Sequence, residues 1–251
     1  MSDRYRLLEH AGITLTVRGE TKSMVVLAQH PDLSKRSKYI GDLHRQIKED
    51  VKTSILGKEF IITPGVFSPI GTLASEFLAK NLIVNEGEFV LDLGTGIGIQ
   101  AIIAAQKAKK VIATDVNPRA ILCARENIKL NNLENKIEVK EGDLFQPVQH
   151  EKFDLIIWSP PYLPLEPHCI LEQSWCCGSN NELIDKFLKE AQEYLTPSGR
   201  IEMVYSTLGN IYYLLCKAEK DSPFSVEVIA SMIGCFEVIL VFVLKPLRKC
   251  T

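Results

Sequence analysis

Val90-Leu-Asp-Leu-Gly-Thr-Gly-Ile-Gly98 is an apolar run that breaks into three glycines at alternate positions. An apolar run of this length reads as a buried strand, Phe89 to Leu93. Gly94, Gly96 and Gly98 lack Cβ atoms, so the turn behind the strand can take unusual backbone angles. A ligand can then approach the main chain closely, with Thr95 inside the same turn. The next stretch, Ile97 to Ala108, is rich in alanine and isoleucine and reads as a buried helix. Strand, glycine turn and helix in this order place a ligand at the carboxyl end of a sheet strand.

On either side the alternation continues. Val111 to Thr114 is a second strand, and Pro118 opens a helix that runs to about Leu130. Ile137 to Val139 and Phe153 to Trp158 are further strands. Residues 160 to 180 form a loop with prolines at 160, 161, 164 and 167. Leu183 to Leu195 is helical, Thr196 to Gly199 a turn, Ile201 to Tyr205 a strand and Leu208 to Ala218 a helix. Val226 to Met232 and Phe236 to Leu244, separated around Gly234, form a hairpin. Upstream, Ser68-Pro69 opens a helix through Leu73, Phe77 and Leu78 to Leu82. In the charged stretch from Lys35 to Lys52, Ile40, Leu43, Ile47 and Val51 fall at helical spacing. Strict alternation with a terminal hairpin predicts an α/β fold. Its sheet is mostly parallel with a C-terminal antiparallel hairpin, and helices cover both faces. Residues 1–57 read as an N-terminal extension, mainly helical, suited to substrate recognition, and 58–251 as the main domain.

Two carboxylates end strands facing the glycine turn. Asp115 stands 17 residues after Gly98 and can accept hydrogen bonds from both hydroxyls of a ribose. Asp143, in Glu141-Gly-Asp-Leu-Phe145, can accept from an adenine amino group. Each can also serve as a plain turn former. Ser159-Pro-Pro-Tyr162 follows the fourth strand. Paired prolines fix φ and remove N–H donors, which leaves carbonyl acceptors exposed. Tyr162 can stack on a planar group. Acceptors aimed at the hydrogens of an amide or aryl amine localise its lone pair, so such a clamp suits reaction at nitrogen.

The segments Asp92-Leu-Gly-Thr-Gly-Ile-Gly98, Thr114-Asp-Val-Asn-Pro-Arg-Ala120 and Glu141-Gly-Asp-Leu-Phe145 resemble, in order and spacing, the cofactor motifs of class I S-adenosylmethionine-dependent methyltransferases. The resemblance covers about residues 60 to 245. It implies a cofactor site of Thr72, Asp92, Gly94, Thr95, Gly96, Gly98, Asp115, Val116, Asn117, Asp143, Leu144 and Ser159. Asp92 would orient the turn near the methionine amino group, and Thr72 would meet the methionine carboxylate. A solvent-facing threonine is the plainer reading of Thr72. Ser159-Pro-Pro-Tyr162 looks like the motif of Asn, Asp or Ser, then Pro-Pro, then Tyr or Phe. With Trp175-Cys-Cys-Gly178 and Tyr194-Leu-Thr-Pro-Ser-Gly199, it is most similar to the HemK/PrmC group within the methyltransferase small domain. Those enzymes methylate a glutamine amide in release factors. That group carries Asn where this chain has Ser159; serine there is familiar from enzymes acting on cytosine N4. The resemblance therefore implies an N-methyltransferase whose acceptor is a protein glutamine, a nucleobase amino group or a small molecule. Ser159, Pro160, Pro161 and Tyr162 would be catalytic, with Tyr162 and Trp175 against the acceptor. The competing readings are an S-adenosylmethionine-binding regulatory subunit altered at Ser159, or an NAD-type oxidoreductase.

Composition bounds these readings. With 29 Lys and Arg against 31 Asp and Glu, the net charge of −2 does not favour a dedicated nucleic-acid binder. Lys35, Arg36, Lys38, Arg45 and Lys48 could touch phosphates, but interleaved acids make a solvated helix face the simpler reading. Met1 to His10 has no apolar export core, and the longest apolar run, Phe236 to Leu244, is short and broken by Glu237. A cytoplasmic protein with no membrane association and seven reduced cysteines is expected. His168, Cys169, Cys176 and Cys177 share one loop, but their spacing suits substrate lining better than metal binding, and no metal is expected. Trp158 reads as core.

Overall fold

The computed structural model describes residues 13–17, 20–24, 32–220, 224–234 and 237–247. Its strands and helices are β1 (Ile13–Val17), β2 (Glu20–Met24), α1 (Leu33–Gln46), β3 (Val51–Ile55), β4 (Lys58–Ile62), α2 (Ala74–Asn81), β5 (Phe89–Leu93), α3 (Ile99–Ala104), β6 (Lys110–Asp115), α4 (Pro118–Leu130), β7 (Ile137–Glu141), β8 (Phe153–Trp158), α5 (Glu182–Glu190), β9 (Leu195–Ser206), α6 (Ile211–Lys220), β10 (Phe224–Ile233) and β11 (Val238–Pro246). Nine strands form one sheet in the order β2-β1-β10-β11-β9-β8-β5-β6-β7, and β3-β4 is a separate hairpin.

The chain lays β5, β6 and β7 side by side in one direction. It then returns to place β8 and β9 on the other side of β5, all parallel. The strand order thus reverses between β5 and β8, and ligands in open α/β sheets bind in the crevice at such a reversal. The terminal hairpin pairs β10 with β11 and β11 with β9, antiparallel in both cases, as its sequence predicts.

Side chains alternate across this sheet and bury both faces. Val90, Val111, Ala113 and Ile157 pack with Leu78, Ile102 and Ala124 of α2, α3 and α4. Leu91, Leu93, Ile112 and Trp158 point the other way, against Ile184, Phe187 and Leu214 of α5 and α6. Trp158 is core, as expected, its ring 3.8 Å from that of Phe187. Burial on both faces explains why these strands read as continuous apolar runs.

Several element boundaries differ from the sequence expectation. The helix expected over 35–52 is α1, capped by the Asp32 carboxylate, which accepts from the Ser34 and Lys35 N–H groups. It ends at Gln46, and Val51 starts a strand instead. Leu56 and Gly57, both with positive φ (49° and 75°), make the two-residue turn of the β3–β4 hairpin, so residue 57 lies inside that turn. Residues before it also supply β1, parallel to β10, and β2 at the sheet edge, so the described residues of that stretch hold strands as well as a helix. Ser68-Pro69 does not open a helix. Gly71 is left-handed (φ 80°), Thr72 N–H closes a turn onto Pro69 O, and α2 begins at Ala74. Likewise the helix expected at Ile97 waits for left-handed Gly98 (φ 92°) and runs only from Ile99 to Ala104. The helix expected from Leu208 starts at Ile211, after Asn210 accepts from the Tyr213 N–H. Thr196 to Gly199 is absorbed as a bulge within β9.

Candidate active site

Leu93 of β5 pairs with Trp158 of β8, so the glycine turn and Ser159 leave adjacent strands at the same level. A single cleft opens there. Thr72, Gly94, Thr95, Gly96, Asp115, Val116, Asn117, Asp143, Leu144, Ser159, Pro160, Pro161, Tyr162 and Trp175 all line it. Of the residues expected from sequence, Asp92 and Gly98 lie behind the turn and do not.

Asp92 organises that turn from below. Its Oδ2 accepts from Thr95 Oγ1 at 2.6 Å and from the Ala101 N–H at 3.0 Å. Its Oδ1 is buried with no hydrogen-bond partner among the described residues. Burial pushes this carboxyl up to about 7. Gly94 and Gly96 have φ of 63° and 56°, and a Cβ on either would meet nothing within 4 Å. Their open side is the cleft, as a cradle for a ligand requires.

Asp115 faces the turn from β6. Its Oδ2 accepts from Gly96 N–H and its Oδ1 from Asn117 N–H, both at 2.9 Å, which fixes the carboxylate and leaves further lone pairs. Burial raises its pKa. The Asn117 side chain is engaged away from the cleft. It caps α4 through the Arg119 N–H and donates to Gly65 O, so its contribution to the cleft is backbone and shape. Val116 is exposed and apolar, and Leu144 is buried with φ 46°. Asp143 forms an ion pair with Lys186 of α5. Thr72 donates to Pro69 O at 3.1 Å.

The other half of the cleft surrounds Ser159-Pro-Pro-Tyr162. Tyr162 is partly buried, edge-on to Tyr205, and its hydroxyl lies 3.5 Å from Glu237 Oε2. Burial and the Glu237 charge raise its pKa. Glu237 also receives Arg36 Nη2 at 3.2 Å and the Ser206 hydroxyl. Trp175 is buried. Its Nε1 donates to Ser37 Oγ at 2.9 Å, and its ring packs near His44 and Phe67. His44 has both nitrogens engaged: Nδ1–H donates to Ile40 O at 2.7 Å, and Nε2 accepts from Ser68 N–H at 2.8 Å. Burial lowers its pKa, which favours this neutral form. Cys176 and Cys177 are buried in the loop and Cys169 is exposed. Burial pushes the Cys177 thiol up to about 12.

Glu237 and Ser206 are not among the site residues expected from sequence, and Arg36 is grouped there with the basic residues of a solvated helix face. Lys35 and Arg45 do sit on a solvated face, paired with Asp32 and Asp42. Arg36 does not. It turns inward to Glu237, which the sequence marked only as the charge that breaks an apolar run.

The residues present fit S-adenosylmethionine. The open glycine cradle leaves room for the methionine end, and the fixed Asp115 carboxylate offers acceptors for the ribose hydroxyls. Residues 57–218 match the methyltransferase small domain family. The chain belongs to that family. It is an S-adenosylmethionine-dependent methyltransferase of class I fold. A Methanocaldococcus jannaschii protein, provisionally named a protein N5-glutamine methyltransferase, is 35% identical over 74% of this chain and 95% of its own length. A release factor glutamine methyltransferase of Aquifex aeolicus is 36% identical over 43% of this chain, which spans only 40% of that enzyme. Among solved structures, a Thermus thermophilus 16S rRNA methyltransferase with S-adenosylmethionine and guanosine superposes with a TM-score of 0.58. It has 21% identity, over 80% of this chain and 50% of that one, a likeness of fold. No helix among the described residues is long and apolar enough to cross a membrane.

Proposed function

We propose that this methyltransferase transfers the methyl group to the side-chain amide nitrogen of a glutamine in a protein. The observation that carries the reading is the pairing of β5 with β8, which sets the glycine turn beside Ser159-Pro-Pro-Tyr162 in one cleft. Bound over the turn, S-adenosylmethionine would supply an electrophilic methyl and leave as S-adenosylhomocysteine, its S–C bond broken as the N–C bond forms and the displaced amide proton passing to water. Asp115 holds the ribose hydroxyls, and the turn kept in shape by Asp92 and Thr95 carries the methionine end, with Thr72 at the rim. Val116 and Leu144 flank the adenine, and Asp143 takes its amino group. The Ser159 hydroxyl and the Pro160 carbonyl accept the two amide hydrogens, so the nitrogen lone pair turns toward the methyl. Tyr162 lies flat behind the amide. Little chemistry is asked of the protein beyond positioning and electrostatics.

Protein is favoured over nucleic acid as acceptor by the two sequence relatives named above and by the cleft, where Arg36 is the only cation among the described lining residues. Residues of α1 and the 160–180 loop wall the acceptor half, which supports a recognition role for the N-terminal stretch. A release factor, the acceptor of the Aquifex aeolicus relative, would place the work in the cytoplasm. Labelled methyl transfer into cell extract, sorted into protein, RNA and small molecules, tests the reading. Label in protein supports it, and label confined to RNA or small molecules overturns it.

A further inference from the structure

The acceptor half of the cleft contains a side-chain donor with no partner among the described residues. Arg36 lines the cleft, its Nη2 held by Glu237 Oε1 at 3.2 Å. Its Nε is buried and has no hydrogen-bond partner among the described residues. A buried donor left unpaired is costly, and native structures keep few of them. The guanidinium is fixed from several sides. Glu237 is itself anchored by the Ser206 hydroxyl and lies beside Tyr162 of the clamp, and Tyr39 stacks 5.5 Å from the Arg36 carbon. The hairpin topology explains the meeting. The start of β11 lies at the carboxyl end of β9, where Ile239 pairs with Ser206, so Glu237 falls over the same edge as Ser159.

We propose that Arg36 is an acceptor-binding residue, oriented by Glu237, whose Nε–H donates to the carbonyl oxygen of an uncharged carboxamide. This rests on the glutamine reading above and adds the group that holds the amide's other end. Ser159 and Pro160 would take the N–H side and Arg36 the oxygen, which fixes the amide plane. Charge at the site is balanced, because Arg36 and Glu237 cancel, so a neutral group fits better than a phosphate or carboxylate. The rim agrees: Leu73 and Ile170 line the cleft yet are 49% and 43% exposed, a surface for apolar neighbours of the glutamine on a peptide loop.

The test uses the full chain loaded with S-adenosylhomocysteine and 15N-labelled at arginine. The Arg36 Nε–H resonance is identified by its loss in Arg36→Lys. N-acetylglutamine methylamide should shift that resonance saturably, and N-acetylalanine methylamide should not. Glu237→Gln should weaken the response about tenfold, the scale of one hydrogen bond to a charged group. No shift, or equal shifts with both compounds, overturns the proposal, and this readout needs no folded variant beyond the assignment. Methyl transfer to the same glutamine compound is followed separately. A shift without transfer would leave the Arg36 site standing and sink the reaction assignment. Transfer with an unmoved Arg36 resonance would do the reverse. With a protein acceptor, Arg36→Lys should raise KM about tenfold while kcat stays within about threefold and cofactor affinity is retained. An unchanged KM contradicts the proposal.

Discussion

Asp115 has two duties in one carboxylate. It accepts the Gly96 and Asn117 N–H groups, which shapes the cofactor turn, and its remaining lone pairs face the cleft. Asp115→Ala should therefore lower cofactor affinity by about tenfold or more, and also cost stability, because each buried N–H left unpaired costs about 1–3 kcal/mol. Calorimetry with S-adenosylmethionine and a thermal melt read the two effects. Unchanged affinity in a folded variant would remove Asp115 from the site. Ser159 bears on the chemistry instead. Ser159→Ala removes one acceptor and keeps the proline geometry, so cofactor binding should hold while kcat falls about 10- to 1,000-fold, the scale of one preorganised polar group. Ser159→Asn restores the residue usual in glutamine-directed relatives and should retain activity. Normal turnover by Ser159→Ala would exclude the hydroxyl as an acceptor.

Helix α1 shows how a covering element is held. Its Ile40 packs with Leu163, Trp175, Cys176 and Leu208, and its His44 bridges Ile40 O to Ser68 N–H. The His44 pKa is lowered by burial, so the unfolded chain binds its proton more readily than the folded one. The stabilisation it brings is complete above the ordinary value of 6.5 and is lost as pH falls below it. Acceptor-side activity should fall over that window together with stability, and His44→Gln should flatten this part of the profile. A melting temperature with the same pH dependence in both proteins would contradict the assignment. These ties were not legible in the sequence. Val90 to Leu93 and the glycines announced β5 and its turn, because local periodicity and missing side chains are written in neighbouring residues. Arg36 and Glu237 are 201 positions apart, and only the return of β11 beside β9 brings them together. Leu56 at positive φ hid the β3–β4 hairpin, since a leucine rarely occupies that conformation. Trp175, read from sequence as a contact for the acceptor, lines the cleft yet is largely buried, its indole N–H bonded to Ser37 on α1.

The fold as a whole was the most legible part, since strict alternation of apolar strands and helices leaves few topologies. The reversal of strand order between β5 and β8 then fixes where a ligand sits. Electrostatics follow from the total charge of −2 and from a cleft whose described lining holds one cation. Transfer to the acceptor should depend only weakly on salt, since few phosphates would be neutralised. A steep log–log slope, sensitive to charge reversal at Lys35 and Lys38, would point to a nucleic-acid acceptor. One cleft would join a sulfonium methyl to an amide nitrogen of a protein. Tandem mass spectrometry of the peptides of a purified acceptor protein locates the methyl group transferred. N5-Methylglutamine is expected at a single position, lost when that glutamine is replaced. Methyl on any other side chain, with glutamine unmodified, would contradict it.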